Sequence, residues 1–266
     1  MKANYLTCAL AAALTSASCN AQNSNEGAAA QSQSELPAVP RPADGDWSKI
    51  VRQTPEGGFL MGNPRAKLRL VELGSLTCDE CKEFDETGVT PLINKYVKTG
   101  RVSYEFRNFV RDGLDLTAAL VVRCNGAKTF FPLERALYED QEKWIAKVQQ
   151  TPQEQLAQLQ NLPPDQQFLQ FAKAAGLQEW AAKRGLPQAK STQCLKDQNS
   201  VNQLIQMASD ITTQYPDFRG TPSFILNGRL LKDIHTWKDL EPQLARANAG
   251  SKGSRWRCLD TRALER

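Results

Sequence analysis

Leu68-Arg69-Leu70-Val71-Glu72-Leu73-Gly74-Ser75-Leu76-Thr77-Cys78-Asp79-Glu80-Cys81 is the stretch on which the reading of this chain turns. Leu68, Leu70, Val71 and Leu73 put apolar side chains on both faces, which predicts a largely buried strand. Gly74 and Ser75 end that run. Thr77 is placed to cap a helix that begins at the cysteines, with Cys78 in its first turn and Cys81 one turn further in. The unpaired N–H groups of a helix start favour a thiolate at the first sulfur. The second, shielded sulfur is then set to attack when the first is tied up in a mixed disulfide.

A strand, a short turn and a C-x-x-C opening a helix is a thioredoxin-like redox arrangement. The competing reading is half of a zinc site, which would need a second pair at similar spacing. Beyond the N-terminal segment the remaining cysteines, Cys124, Cys194 and Cys258, stand singly, and the one histidine is His235. No metal and no cofactor are therefore expected.

The chain has 266 residues, enough for one large or two small domains. Its charged fraction of 23% and hydrophobic fraction of 41% are those of an ordinary globular protein. The net charge of +4 comes from basic residues spread along the chain, so no nucleic-acid partner is implied. Lys2 followed by the apolar run Tyr5 to Leu14 reads as an export signal too short to span a bilayer. Cleavage after Ala21 would remove residues 1–21. Alternatively, Ala17-Ser18-Cys19 resembles a bacterial lipobox, which would remove residues 1–18 and make Cys19 a lipidated N-terminus, although Ser16 stands where leucine is usual. Either route leads to a periplasmic or otherwise exported protein where disulfides persist.

Residues 22–46, rich in Gln, Asn, Ser, Ala and Pro, read as a disordered linker. Gly58-Phe59-Leu60-Met61 is a short strand and Arg101 to Phe109 an alternating one. Helical spacing then takes over at Leu114 to Arg123, Phe130 to Trp144, Phe168 to Ala175 and Val201 to Ile211. Strand returns at Ser223 to Leu226, turns at Asn227-Gly228 and continues at Arg229 to Leu231. A last helix should start no earlier than about Asp239, because Pro242 is tolerated only in a first turn. These signals give an α/β chain in which residues 47–112 and 216–248 form one thioredoxin-like domain. Residues 113–215 form an inserted all-α domain, and 249–266 a basic tail.

In that order, the strand ending at Cys78-Asp79-Glu80-Cys81, the helical insertion, and Arg219-Gly220-Thr221-Pro222 before an apolar strand resemble the DsbA family of exported thiol–disulfide oxidoreductases. The resemblance covers about Gly58 to Arg246. It implies that Cys78 is the nucleophile and Cys81 the resolving cysteine. It implies a cis Pro222 that sets Thr221 beside them to pair with an extended substrate chain. It also implies that Glu72, six positions before Cys78, is a buried carboxyl that takes the Cys81 proton, and alternation independently places Glu72 on the face of Leu68 and Leu70. Burial there would raise its pKa. Cys124 and Cys194 look like the second disulfide found in part of the family, with Cys258 left over as a free thiol or a rival partner. Substrates would be cysteine-containing exported proteins, and a membrane redox partner would reset the Cys78–Cys81 pair.

The departure from the family is Asp79-Glu80, where its strongest oxidants carry Pro-His. Two carboxylates beside Cys78 oppose its thiolate, which points to a weaker oxidant. Disulfide introduction is the favoured expectation. The alternatives are a reductase or isomerase using the same cysteines, and a peptide-binding module whose thiols are incidental. His235 has no neighbour in sequence that suggests a catalytic partner and reads as a surface or packing residue.

Overall fold

The computed structural model describes residues 39–253. Cys19, the export signal, residues 22–38 of the linker and Cys258 lie outside them. Six strands form one sheet: β1 (Val51–Gln53), β2 (Phe59–Met61), β3 (Leu68–Gly74), β4 (Val102–Asn108), β5 (Ser223–Leu226) and β6 (Arg229–Leu231). Their order is β1-β2-β4-β3-β5-β6, with β3 parallel to β4 and every other pair antiparallel. The strand carrying the cysteine motif is therefore central, flanked on both sides. That is why its apolar residues point both ways and Leu70, Val71 and Leu73 are all buried.

Register decides where the ends meet. Gly74 pairs with Asn108, so β3 and β4 finish together. Leu73 pairs with Ser223, so the antiparallel β5 begins where β3 ends. The residues just after β3, just after β4 and just before β5 thus gather at one edge of the sheet. Gly74 has no room for a side chain: a Cβ there would lie 2.5 Å from the Phe106 ring.

β4 alternates in type as its sequence suggests, but both of its faces are buried. The polar side is satisfied internally. Arg107 Nη2 and Nε reach Glu105 Oε1 at 2.8 and 2.9 Å, and the Thr54 hydroxyl adds a bond of 3.0 Å. Alternation alone does not reveal that a polar face is covered.

After the cysteines the chain runs helically to Val97, as α1 (Asp79–Phe84), a π-turn (Asp85–Val89), α2 (Thr90–Leu92) and a second π-turn (Ile93–Val97). Pro91 lies in the first turn of α2 and the flanking π-turns absorb the change of hydrogen-bond register.

The insertion comprises α3 (Gly113–Arg123), α4 (Phe130–Glu139), α5 (Gln141–Gln149), α6 (Gln153–Gln160), α7 (Pro164–Ala175), α8 (Leu177–Ala182), α9 (Gln188–Lys196) and α10 (Gln198–Gln214). The single helix expected over Phe130 to Trp144 is two. Asp140 breaks it, its carboxylate taken by Trp180 Nε1 at 3.0 Å and Arg184 Nη2 at 2.6 Å. Phe130 seats the insertion on the sheet, its ring 4.1 Å from that of Phe59 and 5.7 Å from that of Phe106. Cys124 and Cys194 are joined by a disulfide, Cα to Cα 5.6 Å, tying the end of α3 to α9. The final helix, α11 (Trp237–Gly253), begins two residues before Asp239, the start that Pro242 predicts. Thr236 supplies the start, its hydroxyl accepting from the Asp239 N–H and donating to its carboxylate, while Pro242 lies inside the helix.

Candidate active site

Cys78 is the N-cap of α1 rather than a residue of its first turn. Thr77, the cap expected from sequence, is turned away toward Arg111. With extended backbone at Cys78, its own sulfur does what a capping oxygen does: Sγ accepts the Cys81 N–H at 3.3 Å. Cys78 and Cys81 are both free, and both are buried.

The two thiols are electrostatically opposite. The Cys78 thiol is drawn down from the usual range to about 6, first by the hydrogen bond from Cys81, against its own burial, then by Thr221, the Cys81 N–H and the charge of Arg111. Cys81 is pushed well up, chiefly by burial and then by its neighbour Cys78 and the carboxyl of Glu72. At neutral pH the first sulfur is a thiolate and the second a thiol, as sequential exchange requires.

Thr221 reaches the site through sheet register. Its peptide bond to Pro222 is cis, and its carbonyl lies 3.1 Å from Cys78 Sγ. The Thr221 side chain helps draw the thiol down, whereas its carbonyl, an acceptor, favours the protonated sulfur.

Glu72, inward-facing on β3, is 1% exposed. Burial lifts its carboxyl to about 8, the Tyr104 hydroxyl at 2.6 Å pulls the other way, and Asp85 and Cys78 add to the rise. A carboxyl poised there can take or give a proton near neutral pH. Asp79 and Glu80 are exposed in the first turn of α1.

Sequence reading missed a second set of residues, all from the insertion or the loop leading to it. They hold the Ser75–Cys78 segment carbonyl by carbonyl. Tyr138 donates to the Ser75 carbonyl at 3.0 Å. The Gln141 amide donates to the Leu76 and Cys78 carbonyls, each at 3.0 Å, which uses both of its N–H donors. Arg111 donates to the Thr77 carbonyl and hydroxyl. Asp115, buried at the start of α3, accepts from Ser75 Oγ at 2.7 Å, the Leu76 N–H at 2.9 Å and the Arg111 N–H at 3.0 Å. A polar residue at a helix position that should be apolar is the signal that could have found Asp115 and Gln141.

His235 is an exposed residue just ahead of α11, as read from sequence, and it also touches the cis-proline segment. Its Nδ1 lies 2.8 Å from the Pro222 carbonyl. A carbonyl only accepts, so Nδ1 carries the proton. His235 lines a cleft of about 410 Å³ with Glu80, Glu83, Phe84, Arg219 and Thr221, which opens along the helix that carries the cysteines. Among the described residues no cluster of three or more His, Cys, Asp or Glu could hold a metal ion, and no helix is long and apolar enough to cross a membrane.

Residues 54–246 match the thioredoxin family. A solved structure described as protein-disulfide isomerase from Novosphingobium aromaticivorans is 35% identical, with a TM-score of 0.68; the match covers 71% of this chain and 96% of that one. The solved α-DsbA1 of Wolbachia pipientis shares the fold at 20% identity, with a TM-score of 0.58, 73% of this chain and 92% of that one being covered. A Rickettsia prowazekii protein provisionally named protein-disulfide oxidoreductase is 26% identical over 68% of this chain. This chain spans 58% of that relative's length.

Proposed function

The chain belongs to the thioredoxin family, and from that premise we propose that it is an exported thiol–disulfide oxidoreductase that introduces disulfides into other proteins. The observation that carries this reading is the split between the two sulfurs. A Cys78 thiol held near 6 is a good leaving group, so a mixed disulfide through Cys78 resolves readily toward substrate.

The proposed cycle consists of two thiol–disulfide exchanges. A substrate thiolate attacks Sγ of Cys78 in the oxidised enzyme. The Cys78–Cys81 bond breaks, and Cys81 leaves with the electron pair and takes a proton from Glu72. A second substrate thiolate then attacks the substrate sulfur of the mixed disulfide. Cys78 departs as a thiolate, the substrate gains its disulfide and the enzyme is left reduced. The Thr221–Pro222 segment offers backbone to an extended substrate chain. An oxidant must then reset the pair, and a membrane redox partner is the reading offered for it. Substrates would be exported proteins with cysteines. Export itself is supported by the leader pattern and by the Cys124–Cys194 bond, which suits an oxidising compartment. Lipidation at Cys19 remains part of the same proposal.

The isomerase or reductase direction is favoured by one observation, the description of the 35% identical structure. The steady-state redox form of Cys78 and Cys81 in cells separates the two: mainly oxidised for the first reading, mainly reduced for the second. The activity itself is tested with Cys81→Ala, in which attack on Cys78-linked mixed disulfides is blocked. Substrate proteins should accumulate on Cys78, released by reductant; an untouched Cys78 in cells expressing this variant sinks the proposal.

A further inference from the structure

Arg111 lies outside the strand, the helix and the cis-proline segment that make up the recognised site. It follows β4, whose end is level with the end of β3, and this places it beside the residue that precedes Cys78. Its guanidinium is bonded to both the carbonyl and the hydroxyl of Thr77. The same hydroxyl is 3.2 Å from Ser75 Oγ, which donates to Asp115, and Asp115 accepts the backbone N–H of Arg111. Side chain and backbone of Arg111 are thus closed into one ring with the loop that delivers Cys78. Among the described residues no carboxylate lies within salt-bridge distance of this guanidinium, so its charge is not cancelled by a partner.

We propose that Arg111 is a positioning residue of the dithiol site, held by Thr77 so that its positive charge stands as counter-ion to the Cys78 thiolate and offsets the acidic pair Asp79-Glu80. This rests on the oxidoreductase reading and deepens it. The charged or titratable groups around Cys78 are Cys81, which bonds its sulfur, Glu72 from β3, Arg111, the exposed Asp79 and Glu80 that follow it in the chain, and the exposed His235, whose contact is with the Pro222 carbonyl. Lys82, the next cation along α1, is already taken by Glu142 at 2.6 Å and Glu86 at 3.8 Å. Arg111 is therefore the cation left to do this. Its charge acts on the Cys78 thiol in the lowering sense, after the larger effects of the Cys81 hydrogen bond, Thr221 and the Cys81 N–H.

The role is one of charge, and that makes it separable from simple support of the loop. Arg111 is exposed, so its effect is partly screened by salt. Two measurements on the full chain decide it. The first is titration of Cys78 by thiolate absorbance. The second is the equilibrium in which two glutathione thiols reduce the Cys78–Cys81 disulfide to the dithiol and form glutathione disulfide.

Arg111→Met should raise the titration midpoint and shift the glutathione equilibrium about fivefold toward the disulfide form, the order expected for losing one charge-assisted contact. Arg111→Lys, which keeps the charge without the fork, should recover most of both shifts. The gap between wild type and Arg111→Met should narrow in molar salt. A folded Arg111→Met protein with unmoved midpoint and equilibrium overturns the proposal. So does a shift that Lys does not rescue and salt does not reduce, because that assigns the residue to loop support alone. If the wild-type pair fails to exchange with glutathione at all, the oxidoreductase reading falls, while the absorbance titration still reads the contribution of Arg111.

Discussion

The hydroxyl of Tyr104 donates to Glu72 Oε2 at 2.6 Å, in the buried face beneath the paired cysteines. The two side chains come from neighbouring strands, β4 and β3, in the parallel part of the sheet. This bond is the main opponent of burial at that carboxyl, which would otherwise be held still higher than about 8.

Replacing Glu72 with Gln should slow release and attack of Cys81 by roughly a hundredfold, the usual scale for loss of a positioned acid–base group. The wild-type rate should change with pH around about 8, and the variant should lack that limb. Tyr104→Phe should keep the limb but move it to higher pH. Stopped-flow exchange with a peptide disulfide across pH 5–10, roughly the span these groups cover, would check both.

Cys78 alkylation should rise with pH through about 6 and level off, while Cys81 stays unreactive throughout the same range. Mass spectrometry of singly labelled protein tells the sites apart. A reactivity midpoint near that of a free thiol would contradict the N-cap assignment of Cys78.

Stability of the reduced protein should depend on pH in a defined sense. Glu72, Asp85 and Asp115 are all raised in the folded state, mainly by burial, to about 8, 6 and 6. Raised carboxyls stabilise fully below their unfolded values near 4, and that stabilisation is lost as pH rises through their folded values. Cys78 is lowered from 9.0 to about 6, so its contribution is complete above 9 and disappears as pH falls through 6. The reduced form should therefore lose stability from about pH 4 to 6, with Cys78 offsetting Glu72 above that. In Glu72→Gln the fall between 4.5 and 8 should shrink, by urea unfolding at each pH.

Gly74→Ala should destabilise the protein markedly, because the new methyl meets the Phe106 ring at 2.5 Å and Glu72 Oε1 at 3.2 Å. A loss of about 1–3 kcal/mol is the range for overpacking in a tight core. Phe106→Leu in the same background should recover part of it, since the clash is with the ring edge. Thermal melts of the single and double variants would settle the pairing.

Serine at both Cys124 and Cys194 should lower stability by about 4 kcal/mol, from reopening a loop of 70 residues in the unfolded chain. The Cys78 titration should hardly move, because that bond staples α3 to α9 and not the redox loop.

Much of this molecule was legible from one stretch of sequence. The strand from Leu68, the paired cysteines and the Thr221-Pro222 step carry signals that are local and spaced by fixed periods. What was not legible depended on tertiary partners. Cys78 displaced Thr77 as the cap because Arg111 and Ser75 claimed the threonine hydroxyl. The covered polar face of β4 reads from sequence like a solvated one, since only the fold pairs Arg107 with Glu105 and Thr54. The glutamine-rich α6 and the short α8 and α9 have too little apolar patterning to declare themselves. Gln141 and Asp115 take their meaning only from the loop they grip, whose carbonyls and N–H come from a distant part of the chain. His235 gains its partner from a cis-proline carbonyl 13 positions away.

The grip on Ser75–Cys78 has a consequence for the order of events when the chain is made. Gln141 emerges 63 positions after Cys78, and Tyr138 63 after Ser75. A growing chain that has exposed the cysteine motif therefore lacks the donors that fix its peptide planes. Until the later segment arrives, the loop has its cysteines but not the hydrogen bonds that hold its carbonyls in place. The Thr221 contact comes later still, 143 positions after Cys78, so the set of groups that lowers the first sulfur is complete only once the last strands have been made.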